Sequence, residues 1–242
     1  MVWNLKPDWN LDRVIGTGDA NSTLEDRVNV VKFSPDGKLL GTGGGAPTGG
    51  GEIKLWQVAT GKLMRSFTNV HSDAVFGLDF SPDGKYLASG AADKFVKVLE
   101  LATGRVVRQF EGHTHHVLGV GWNRNERTLA SAGADNVVKI WDFVHGEKRK
   151  NIAGFDKEVT AISFVGYTDQ AVAASGDSKV RLVCEDGNEV RSFSGANDFI
   201  ESAAVTLDGK IVIAGGQDSV LRVWDGTNGK LIASFPPAEE KH

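Results

Sequence analysis

Apolar and polar positions alternate along this chain in short runs, with little of the spacing a helix would need. VNVVKFS, VFGLDFS, VLGVGW, VTAISF and SAAVTL form one set of such runs, and KLLGTG, KYLASG, RTLASAG, QAVAASG and KIVIAGG a second. A third set, IKLW, VKVL, VKIW, VRLV and LRVW, alternates apolar residues with Lys or Arg. Side chains of a strand point alternately to its two faces, so a period of two predicts strands with a buried face. Turns separate the runs. In Ser34-Pro35-Asp36-Gly37 and Ser81-Pro82-Asp83-Gly84 the proline presets φ and the glycine takes the opposite corner. ATGK (59–62), ATGR (102–105), HGEK (145–148) and TNGK (227–230) close a later hairpin. Each unit therefore holds four short strands, and the chain is predicted to be all-β.

The units repeat. Trp3, Trp56, Leu99, Trp141, Val183 and Trp224 occupy one position, spaced by 53, 43, 42, 42 and 41 residues. One copy, GHTHHVLGVGWNRNERTLASAGADNVVKIWDF, carries His113, Ser131, Asp135 and Trp141 at offsets that allow a chain of hydrogen bonds. A carboxylate placed in a core requires such multiple satisfaction. The Gly-His start, the Ser-Pro-Asp-Gly turns, the Asp six residues before Trp and the Trp-Asp end resemble WD40 repeats over nearly the whole chain.

That resemblance implies a β-propeller: a single domain over 1–242, with five full four-stranded blades at about 28–67, 71–110, 113–152, 155–193 and 196–235. Residues 2–15 read as an N-terminal half blade, so a fragment or an otherwise incomplete propeller is expected, with association between chains as the second reading. The near-identical units VKFSPDGKLL and LDFSPDGKYL are similar to bacterial WD40 arrays. His71, Asp93, Asp177 and Asp218 fall on the family's structural His and Asp positions beside His113 and Asp135. The copies diverge. Leu99 replaces Trp in the second, and the fourth has Phe155, Ala173 and Val183. The fifth has Ala196 and Ala214, so Asp177 and Asp218 are expected to bond turn backbone N–H groups. Extra residues in the first unit fall in 17–27 and 43–51, long loops that could carry binding.

Composition narrows function. A net charge of −4 and a pI near 5.9 argue against nucleic acid and membrane partners. Cys184 is the sole cysteine, which excludes an intramolecular disulfide and a Cys-based zinc site. The layout of the chain shows no signal peptide, and a complete chain would be cytoplasmic.

Candidate chemistry is thin. His115 and His116 beside His113 suggest a metal, yet in a strand the two would face opposite ways and no third ligand is evident. Asp19, Asn21 and Thr23 imitate the start of a calcium loop whose later Gly and Glu are absent. The glycine-rich 43–51 lacks the Lys and helix of a phosphate loop. No catalytic residue, cofactor or metal site can be named, and the expectation is a non-catalytic scaffold. The resemblance places partner contacts on one face, at Arg27, Asn29, Phe76, His116, Leu118, Glu158, Thr160, Phe199, Glu201 and Gln217. Apolar groups beside isolated charges suit a protein or peptide partner, with self-association through open blade edges as a further expectation.

Overall fold

The computed structural model describes residues 14, 15, 24, 26–47 and 49–237. Among them no helix occurs, and twenty strands form five four-stranded sheets. The first sheet runs through β1 (Val28–Phe33), β2 (Leu39–Gly44), β3 (Gly51–Gln57) and β4 (Leu63–His71). The second holds β5 (Val75–Phe80), β6 (Tyr86–Ala91), β7 (Val96–Glu100) and β8 (Val106–Phe110). The third holds β9 (Val117–Trp122), β10 (Thr128–Gly133), β11 (Val138–Asp142) and β12 (Glu147–Ile152). The fourth holds β13 (Val159–Phe164), β14 (Gln170–Ser175), β15 (Val180–Cys184) and β16 (Glu189–Phe193). The fifth ends the series with β17 (Ile200–Val205), β18 (Ile211–Gly216), β19 (Leu221–Asp225) and β20 (Leu231–Phe235). Each sheet is an antiparallel meander, and we call each a blade. The half blade expected over 2–15 lies outside the described residues apart from Val14 and Ile15, as does most of loop 17–27, including Asp19, Asn21 and Thr23.

The inner strands β1, β5, β9, β13 and β17 pack in succession around a channel. The apolar cores lie between blades rather than within them. One cluster joins the first and second blades through Ile53, Phe67, Leu78 and Phe80. Others join the second to the third through Phe110, Trp122 and Trp141, the third to the fourth through Ile140, Phe155 and Phe164, and the fourth to the fifth through Phe193, Val212 and Trp224. In the second, third and fourth blades the aromatic ending the inner strand (Phe80, Trp122 and Phe164) packs onto the preceding blade. Phe80 is thereby buried, whereas Phe33, with no preceding described blade, is 59% exposed. Val31 on one open side and Ile213, Leu221 and Phe235 on the other are likewise exposed.

An arginine clasp recurs at the outer edge. Arg65 of β4 donates to the Leu101 and Thr103 carbonyls in the next blade's turn, both at 2.7 Å. Arg108 of β8 donates to the Phe143 and Val144 carbonyls at 2.9 Å, and Arg191 of β16 to the Gly226 carbonyl at 2.8 Å. Gly104 in the first of these turns has φ +75°, and a Cβ there would strike the Arg65 guanidinium.

Candidate protein-binding face

The blades first need their polar locks. In the third blade Trp141 Nε1 donates to Ser131 Oγ at 2.8 Å, and Ser131 Oγ lies 2.7 Å from His113 Nε2. His113 Nδ1 lies 2.8 Å from Asp135, which also accepts from the Thr114 N–H at 2.9 Å. Burial lowers the His113 pKa despite Asp135, so the neutral ring accepts from the Ser131 hydroxyl and donates to the carboxylate. Burial works to raise the Asp135 pKa, but the Thr114 and His113 bonds outweigh it and keep the carboxyl below its usual range. The second blade repeats the geometry with His71, Ser89 and Asp93; with Leu99 in the tryptophan's place, Ser89 lies 3.3 Å from the Lys97 carbonyl.

The remaining blades improvise. Trp56 Nε1 donates to Thr42 Oγ1 at 3.0 Å, and Trp224 Nε1 to the Ser194 carbonyl at 2.9 Å. Asp177 and Asp218 do accept backbone N–H groups, from Asp156, Lys179, Val220 and Asn197. To these expected bonds the structure adds two buried cations. Arg181 grips Asp177 at 2.7 and 3.1 Å, and Arg222 reaches Asp218 at 2.7 Å. An arginine four residues after the Asp, on the third strand, stands where the histidine is missing. That substitution of Arg for Lys is the sequence signal that could have revealed it.

The channel mouth is built by a recurring irregularity. In four blades the inner-strand register slips across its second residue, at Asn29, Phe76, Thr160 and Glu201. In the third blade the slip lies opposite Leu118. A bulge re-aims the side chain it carries. These five residues, with Phe199, line a cavity of about 450 Å³. Phe199 lies over Gly176, where a Cβ would collide with its ring.

The expected contact residues separate into groups. Phe76, Leu118 and Phe199 are half-buried at the cavity wall. Thr160 is there too, but its hydroxyl donates to the Ile200 carbonyl at 2.8 Å, so it ties the fourth blade to the fifth. Asn29 Nδ2 likewise donates to the Val75 carbonyl at 3.1 Å. Glu201 accepts from Gln217 Nε2 at 2.9 Å at the rim. Arg27, Glu158 and His116 lie outside the cavity lining, though the His116 ring stacks on Phe76 at 6.1 Å. His115 and His116 do not diverge as strand residues would. They precede β9 in a bend, and their rings approach to 4.4 Å. Burial first, then the neighbouring His115, lowers the His116 pKa. Among the described residues no group of three His, Cys, Asp or Glu side chains is arranged to hold a metal. The glycine-rich 43–51 borders a separate cavity of about 360 Å³ with Glu52, Lys54 and His71.

Comparison with known proteins matches the family described as "WD domain, G-beta repeat" at residues 17–57, 61–99, 104–142 and 187–225, more than half of the chain. The later matched units start in the turn before the fourth strand of one blade and end in the third strand of the next, and the degenerate copy ending at Val183 falls between two of them. The chain is 29% identical over 190 residues to nuclear distribution protein nudF of Aspergillus niger, covering 71% of this chain and 43% of that protein. It thus spans less than half the length of that curated relative. Among solved structures, U3-55K superimposes with a TM-score of 0.78 at 21% identity, over 89% of this chain and 67% of that one. The crystal structure of the RRP9 WD40 repeats gives 0.77 at 22%, over 86% and 63%.

Proposed function

The chain belongs to the WD40 repeat family, and from that premise we propose that it is a non-catalytic scaffold that captures a protein or peptide across the channel mouth framed by Phe76, Leu118 and Phe199. The observation that carries this reading is the bulge. It recurs in every described blade and delivers the second inner-strand residue to one cavity, apolar at two of the five positions. Phe199 adds a third apolar wall, while Glu201, held by Gln217, supplies a polar one. Buried apolar anchors inside a polar rim are the arrangement that concentrates binding energy at protein interfaces.

The test is an array of immobilised nonapeptides probed with the protein and with the Phe76→Ala/Phe199→Ala double variant. Loss of array binding with the thermal midpoint retained supports the reading. Unchanged binding refutes it, and a collapse in folding would make the two rings core residues.

A second reading, assembly between chains, is favoured by the exposed Val31 and Phe33 on one side of the arc and Ile213, Leu221 and Phe235 on the other. Light scattering on the eluting protein decides it: a dimer or larger species that Phe235→Asp disperses supports assembly, and a monomer at high concentration excludes it.

A further inference from the structure

The second mouth of the channel, at the far end of the inner strands, has a chemistry of its own. The turn after each inner strand reaches this mouth, presenting Pro35, Pro82, Arg124, Gly166 and Leu207 to a cavity of about 250 Å³. Tyr167, beside Gly166, is 81% exposed, and Leu207 is 64% exposed. Single exposed apolar residues are ordinary, but a ring of them around one opening marks an interaction surface.

Charge on this collar is uneven. Lys38, Lys85 and Lys210 are each paired within their own turn, to Asp36, Asp83 and Asp208 at 2.9 to 3.4 Å. Deeper in the cavity Lys32 is paired to Asp79 at 3.1 Å, and Asp79 also accepts from the Trp122 backbone N–H at 2.8 Å, so that pair adds no net charge. Arg124 differs. No carboxylate pairs with it among the described residues; its guanidinium lies 5.5 Å from the centre of the Tyr167 ring. The wall also contains Trp122, whose Nε1–H is buried and has no acceptor among the described residues.

From the unneutralised arginine and the apolar collar, we propose that this mouth binds an extended protein segment bearing an acidic residue beside an apolar one. The carboxylate pairs with Arg124, and the apolar side chain lies against Pro35, Pro82, Tyr167 and Leu207. A charge-assisted bond to an arginine on an aromatic plane is a strong and directional contact.

The experiment probes the folded full chain with immobilised nonapeptides that place Glu, Gln or Lys beside Phe or Leu, followed by titration with the strongest binder in solution. Glu peptides should bind at least tenfold more tightly than their Lys counterparts, and Arg124→Glu should invert that order at an unchanged thermal midpoint. Leu207→Ser should weaken both. In a ¹⁵N-labelled sample, the side-chain N–H signal of Trp122, identified by its loss in Trp122→Phe, should shift on titration. Phe76→Ala/Phe199→Ala should leave this binding intact, which separates it from the opposite mouth. Equal binding of Glu and Lys peptides, indifference to Arg124→Glu, or loss in the Phe76→Ala/Phe199→Ala protein would each overturn the proposal.

Discussion

Replacing Ser131 with Ala should cost distinctly more than replacing Ser89, although the two serines occupy equivalent places in adjacent blades. Both are fully buried, and each lies within 2.8 Å of a histidine Nε2. Removing either hydroxyl deprives an imidazole Nε2 of its hydrogen-bond partner, a loss of about 1 kcal/mol. Only Ser131 also accepts a second bond, from Trp141 Nε1 at 2.8 Å, since Leu99 holds that place in the second blade. Trp141 is buried, so its indole N–H would then have no acceptor. An orphaned buried donor costs about 1–3 kcal/mol, and Ser131→Ala should exceed Ser89→Ala by that amount. Urea unfolding of the two variants measures the difference. The decisive control is Trp141→Phe, which removes the N–H. In that background Ser131→Ala should cost no more than Ser89→Ala does in the parent. Equal costs in the parent protein, or an undiminished cost beside Phe, would refute the reasoning.

Other outcomes follow from the same geometry. Asp177→Ala strands the buried Arg181 and should destabilise by about 3 kcal/mol in urea unfolding, with Glu189 at 3.4 Å giving only partial relief. Arg65→Ala removes a clasp made to two carbonyls of the next blade and should cost about 1–2 kcal/mol, read by the same unfolding. Gly104→Ala, which forces that guanidinium aside at a positive φ, should lower the thermal midpoint comparably. Acid should unfold the protein through Asp93, Asp135, Asp177 and Asp218. Their hydrogen bonds and ion pairs outweigh burial and hold them below the usual carboxylate range, so the stability they contribute is present above about pH 4 and lost as pH falls. Asp79, raised chiefly by burial, works in the opposite sense. Asp177→Asn should flatten the midpoint's decline between about pH 5 and 2, and an unchanged slope would remove this carboxyl from the account.

Much of this architecture can be read along the chain because it is local. A strand's two-residue period and the glycine of a tight turn act within a few residues, so the meanders are visible without tertiary knowledge. The offsets from Trp141 to Ser131 and Asp135 span a single hairpin, and their hydrogen bonds close inside one blade. Reading failed where partners meet by a less regular route. Thr42 escapes because four extra residues in the first unit shift its offset from Trp56. Arg181 and Arg222 look like the polar half of a strand alternation until the missing histidine leaves each Asp without a ring. Thr160 reads as a free contact residue, but its hydroxyl serves the neighbouring blade, a partner forty residues away in sequence. His115 and His116 read as strand residues, but the strand begins only at Val117. The collar at the second mouth has no sequence signature, since one residue from each of five distant turns composes it.

Because every apolar cluster straddles two sheets, no point within the five described blades can be cut so that both pieces keep what they had. A break between blades halves a core; a break inside a blade severs its hydrogen-bonded ladder. The smallest piece with an intact interior is a neighbouring pair, and truncation series should therefore advance by overlapping pairs. The same sharing makes the middle blades hold one another from both sides, so unravelling should begin at the two ends and move inward one joint at a time.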